Sequence, residues 1–159
     1  MQAHIVKSFD IEIATLKESV MEMAKKCENQ IEKSAQALKI MDRELAKKVI
    51  ETDEEVNTQQ LKIEEAAVAC LAKRQPVAVD LRQLLCMMRM AYELERIGDY
   101  SGGVAKRVTM LEKPVEKDAL ELIITMANTA RVMLHDISMA FLMLDLDKAV
   151  EVWNKDDEI

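Results

Sequence analysis

The 159 residues carry a formal net charge of −7, are 50% apolar, and include only two Phe, two Tyr and one Trp. So acidic a chain offers no basic surface to a phosphate backbone, which argues against nucleic acid as a partner. No uncharged stretch approaches the roughly 20 residues needed to cross a bilayer, and the amphipathic, acid-bearing start "MQAHIVKSFDIEIATLKESV" is not a signal peptide. A soluble, cytoplasmic protein, at most peripheral to a membrane, is expected.

Three Gly and two Pro beside many Leu, Ala, Glu and Lys make an all-α composition of long packed helices. Phe9, Ile13, Leu16, Val20, Met23, Cys27 and Ile31 recur at steps of four and three, lining one face of a first helix to about Met41. Asp42 can cap a second helix, with Glu44 in its first turn and Leu45, Val49, Val56, Ile63, Ala67 and Cys70 as its stripe. "KRQPVAVDLR" interrupts at Pro76, which suits the first turn of a third helix running to about Leu111. "EKPVEK" breaks the pattern again, a fourth helix spans about Val115 to Leu144, and a fifth opens at Asp145. Short connections between such rods predict an antiparallel bundle. The 12 Met residues supply adaptable packing and suit a partner surface.

An internal repeat sharpens this reading. Shifted by 103 positions, "ALKIMDRELAKKVIETDEEV" lies over "AFLMLDLDKAVEVWNKDDEI", matching Ala37 with Ala140, Asp42 with Asp145, Ala46 with Ala149, Val49 with Val152 and Asp53 with Asp156. The expectation is a tandem pair of three-helix units, one over residues 1–111 and an incomplete second over 115–159. The repeat length further predicts about 50 to 60 more residues beyond Ile159 in the native chain. Apolar surface left uncovered on the last two helices would favour self-association, as a dimer or larger homo-oligomer.

"YELERIGDYSGG" places Glu95 and Asp99 side by side, one turn apart, on the third helix. Met87, Met90, Leu94, Ile97, Ser101 and Val104 make one stripe there, while Leu81, Leu85, Met88 and Tyr92 make another that the two acids extend. Such a pair can share a hard cation through oxygen, or face water with Arg96 or Arg107 nearby; spacing alone leaves both open. Further ligands would come from Asp53 and Glu54 in "DEE", or Asp156 and Asp157 in "DDE", clusters that equally read as surface charge. Gly102-Gly103 in mid-helix points to close helix approach or a bend.

Other chemistry is sparse. His4 and His135 lack the Glu-x-x-His arrangement of di-iron bundles and read as solvated or structural. Cys27, Cys70 and Cys86, odd in number and far apart, read as reduced, buried small hydrophobes. There is no G-x-S-x-G, H-E-x-x-H or phosphate-cradling Gly loop.

"RQPVAVDLR" (Arg74–Arg82), then "ELERIGDY" (Glu93–Tyr100), behind "DEEV" (Asp53–Val56), resembles the PhoU family of phosphate-uptake regulators from about Phe9 to Ile159. The resemblance implies two tandem three-helix units and a non-enzymatic cytoplasmic regulator. It implies as partners the phosphate ABC transporter ATPase and a membrane sensor histidine kinase, with restraint of uptake and of the starvation response. The family's E/D-x-x-x-D motif, which binds iron or zinc in some members, falls on Glu95 and Asp99. Departures weaken a multinuclear cluster: the usual "GDHAxNIAE" reads "GDYSGGVAK", with Tyr100 for His, Gly103 for Asn and Lys106 for Glu, and Asn57 stands where Asp is common. Arg74, Asp80 and Arg82 are expected to cap or pair helices first, and to meet a partner second. The competing readings are a structural oligomerisation module, a metal-dependent helical enzyme using the acid pair, and the PhoU-like tail of a sodium-phosphate cotransporter, against which the lack of a preceding membrane span counts.

Overall fold

The computed structural model describes the backbone of residues 2–155 and the side chains of residues 9–155. Five helices follow in order: α1 (Gln2–Ile40), α2 (Arg43–Arg74), α3 (Ala78–Met110), α4 (Lys117–Met143) and α5 (Leu146–Trp153). The first three pack mutually as a three-helix bundle; α4 rests on α1, and α5 on α4. The chain is all-helical, as the composition required.

The α1–α2 and α4–α5 connections are the same object built twice. Met41 and Leu144 both take a left-handed φ of 56°. The next residue then donates its N–H five residues back, Asp42 to Ala37 at 3.0 Å and Asp145 to Ala140 at 2.9 Å. Each Asp caps the following helix, Asp42 accepting from the Leu45 N–H and Asp145 from the Lys148 N–H, both at 2.9 Å. All these pairs are related by the shift of the sequence repeat.

Pro76 departs from expectation. It precedes α3, because Gln75 already closes α2 in the left-handed region (φ 48°) and Val77 is extended ahead of Ala78. Arg74 pairs between helices as expected, its guanidinium 2.7 Å from Glu12, with Lys73 3.3 Å from the same carboxylate. These cations hold the Glu12 carboxyl down at about 2 and pin α1 to the end of α2.

The α1 stripe is buried through Leu16, Val20, Met23 and Cys27, and the α2 stripe through Val49, Val56, Ile63, Ala67 and Cys70. On α3 the buried line is not either of the expected stripes but one between them: Leu84, Met87, Ala91, Leu94, Gly98, Ser101, Gly102, Ala105 and Val108. Half of that line is Gly, Ala or Ser. Weighing apolar size therefore misses it, whereas closely approaching helix axes select for small residues at the contact. Leu85 and Tyr92 are exposed instead, and so is Cys86, against its expected burial.

The bundle core is divided. An upper cluster includes Met23, Cys27, Val56, Met87 and Leu94; a lower one holds Ala37, Leu38, Ala46, Val49, Ala105 and Val108. Between them in each helix lie buried polar or small residues: Gln30 and Ser34 on α1, Asp53 on α2, and Gly98, Ser101 and Gly102 on α3.

That layer depends on the glycine seam. A Cβ at Gly102 would stand 2.7 Å from the Asp53 Oδ2 and 3.0 Å from its Cγ, whereas one at Gly103 would meet only the Arg107 Nη1 at 3.3 Å. Gly102→Ala is therefore expected to lose about 1–3 kcal/mol of unfolding free energy despite its better helix propensity. Gly103→Ala, displacing only a flexible exposed arginine tip, gains up to about 1 kcal/mol. Urea unfolding of both checks this; a Gly102→Ala protein as stable as its parent would mean that Asp53 moves aside freely.

Candidate functional site

Helical geometry brings three of the predicted acids together. Asp53 occupies a core position of the α2 stripe between Val49 and Val56 and is only 5% exposed. Glu95 is half-buried and Asp99 exposed at the rim of the same polar layer on α3. Burial, and then the charges of Asp99 and Asp53, push the Glu95 carboxyl up. Burial and then the Asp99 charge push Asp53 up, partly offset by the Gln30 amide and Lys106. The three carboxylates thus form one repelling group that a cation would relieve.

The remaining predicted residues lie elsewhere. Glu54 is exposed and lines a groove between α1 and α2 with Glu22, Lys26 and Glu51. Asp156 and Asp157 lie outside the described residues. Neither nearby arginine pairs with the acids: Arg96 bonds Glu93 at 2.8 Å and approaches the Tyr100 hydroxyl at 3.4 Å, while Arg107 donates to the Gly103 carbonyl at 2.9 Å. His135 is exposed on α4, its Nδ1 3.3 Å from Glu28.

Two further oxygens belong to the layer. Gln30, 1% exposed, donates a long hydrogen bond of 3.5 Å to Asp53 Oδ1, while its own Oε1 is buried without a partner. The Asn57 Oδ1, one turn beyond Asp53, is likewise buried and unpaired. Sequence reading passed over Gln30, although an amide on the core side of the Cys27–Ile31 stripe was the available signal. The Asp53 signal was similar: an acid at a stripe position is not a surface acid.

The donor set is entirely oxygen. Cys27 is no ligand candidate: its thiol donates to the Leu94 carbonyl at 3.2 Å, and burial pushes it up to about 12. Carboxylate and amide oxygens without imidazole or thiolate suit hard cations better than zinc. Among the described residues, no group of three or more His, Cys, Asp or Glu is arranged to hold a metal ion. The layer therefore fits a cation gripped by the Glu95–Asp99 pair with water completing its shell, and does not fit an enclosed multinuclear cluster.

No helix among the described residues is long and apolar enough to cross a membrane. A PhoU domain model matches residues 20–108. The chain is 35% identical over 162 aligned residues to the phosphate-specific transport system accessory protein PhoU of Escherichia coli K12, covering all of this chain and 66% of that protein. It is 34% identical to the PhoU homolog of Caulobacter vibrioides, covering all of this chain and 70% of the relative. The chain thus spans about two thirds of the length of the curated relatives it matches. Crystal structures of PhoU from Pseudomonas aeruginosa and of the phosphate transport regulatory protein PhoU from Streptococcus pneumoniae superpose with TM-scores of 0.90 and 0.85, each at 30% identity over 94% of this chain. The fold covers 72% and 70% of those chains.

A charged, buried Asp53 carries a sign test. A carboxyl raised in the folded state binds its proton more tightly there than when unfolded. Its penalty is absent below the ordinary carboxylate range, grows above it, and is complete once the raised value is passed. Asp53→Asn, which keeps shape and hydrogen bonding, should melt a few degrees above the parent at pH 7, with the gap closing toward pH 4. Thermal unfolding at both pH values decides; an unchanged gap removes the charge as its cause.

Proposed function

We propose, from the premise that this chain belongs to the PhoU family, that it is a non-enzymatic, cytoplasmic regulator of phosphate transport. The observation that carries the reading is similarity along the whole chain to phosphate-specific transport accessory proteins. The partners it would engage are the ATPase of the phosphate ABC transporter and a membrane sensor histidine kinase. Through them it would restrain uptake and the response to phosphate starvation. Residues 1–111 form the first PhoU-like unit in this reading, and 115–159 belong to a second, which the twice-built connection supports. Affinity capture of the chain from phosphate-rich and phosphate-starved cells tests the assignment. Transporter ATPase or kinase should be enriched in a phosphate-dependent way; enrichment of neither under either condition overturns it in favour of a purely structural oligomerisation module.

Metal binding is the finer part of the proposal. Glu95 and Asp99 would grip a hard cation, ferric iron included, and Asp53 behind them would add charge without access to solvent. The cation would supply charge neutralisation at the rim of the polar layer, stiffening the α2–α3 seam. Lys106, acting on Asp53, places a positive charge at this site, so binding should be weaker than where the family has Glu. Elemental analysis of the purified protein beside Glu95→Gln/Asp99→Asn is the check. The double variant should lose the metal; equal content in both would return the pair to a solvated face.

A further inference from the structure

We propose that the open groove over α4, between α3 and the start of α5, is a receptor for one amphipathic helix of the α3 kind, bound in trans. The groove measures about 590 Å³, and its lining includes Met90, Ile97, Ile137, Phe141, Leu146 and Ala149.

The internal repeat names the occupant. In the first helix pair, Ala37, Leu38 and Ala46 form the lower core cluster with Ala105 and Val108 of α3, and Ile50 packs against it. Their counterparts at the repeat shift are Ala140, Phe141, Ala149 and Trp153. The first three line the groove. Trp153, one turn beyond Ala149, is 81% exposed. The surface that α3 covers on α1–α2 is thus presented again on α4–α5, and among the described residues no helix lies on it. Ser138, 2% exposed, also lines the groove, and its buried hydroxyl has no partner.

These features define the ligand's chemistry. Small Ala residues at the floor require a helix that can approach closely, with Gly, Ala or Ser at steps of three and four, as Gly98, Ser101, Gly102 and Ala105 provide on α3. An almost wholly apolar lining requires that face to be otherwise hydrophobic. A second copy's own α3 is a poor occupant, because it is already packed against α1 and α2. The inference rests on the duplicated helix pair and stands whether or not the chain answers to phosphate.

The probe is a synthetic peptide of residues 78–110, titrated into the full chain under reducing conditions. The peptide contains no Trp, so emission reports Trp153, the single Trp of the protein. A saturable blue shift is expected, with affinity reduced at least about tenfold by Ala149→Arg on the groove wall. Leu146→Arg, at a position 75% exposed and so without cost to folding, should weaken binding similarly. A same-composition peptide of scrambled order that shifts Trp153 equally, or binding unaffected by both arginines, overturns the proposal. So does sedimentation showing that the chain alone dimerises with Trp153 already blue-shifted, since a second copy would then cover the groove.

Discussion

A carboxylate held out of water between two helices is the constraint on which the first bundle turns. Asp53 sits where a hydrophobic stripe would place a valine or leucine, and α3 accommodates it by offering no side chain at Gly98 and Gly102. Burying a charge is costly unless it is paired or hydrogen-bonded, and here the compensation is thin: a long bond from Gln30 and the field of Lys106. The seam is consequently both close-packed and electrostatically loaded. Apolar clusters above and below keep the three helices together across it.

The same layer shapes what the rim can do. Glu95 and Asp99 are neighbours by helix pitch alone, but their joint behaviour comes from Asp53 behind them, which adds a third negative charge that solvent barely reaches. An acid pair over water is indifferent to what approaches it; an acid pair over a buried carboxylate gains from any cation that reaches the rim. On the regulatory reading proposed above, this would let occupancy of a surface site stiffen the bundle from within, by relieving repulsion rather than by adding contacts.

Duplication imposes the other half of the architecture. The left-handed residue, the aspartate cap and the backward hydrogen bond recur together at Met41–Asp42 and Leu144–Asp145, so the two helix pairs open at the same kind of corner. Their environments differ: α1 and α2 are closed over by α3, while α4 is held to α1 by Leu134, Ile137 and Phe141, and α5 to α4 partly through Asp136 with Lys148 and Lys155. Equal sequence thus yields a core in one place and an open apolar wall in the other.

Local rules determined much of this protein from its sequence. The 3–4 apolar spacing set the helices, the capping acids set where α2 and α5 begin, and "RQPVAVDLR" with "ELERIGDY" carried the family. These are properties of one segment at a time, so they survive without knowledge of neighbours. What only the tertiary structure decided was which residues face which helix. The α3 contact line runs through Ala91, Gly98 and Gly102 because close axes need small residues, and hydrophobic size cannot reveal it. Cys86 and Tyr92 are exposed because α3 is covered on one face there, not two. Asp53, identical in type to its neighbours Glu54 and Glu55 as a charge, became the buried one because helix phase turned it, and not them, toward the glycines of a helix some fifty residues away in the chain.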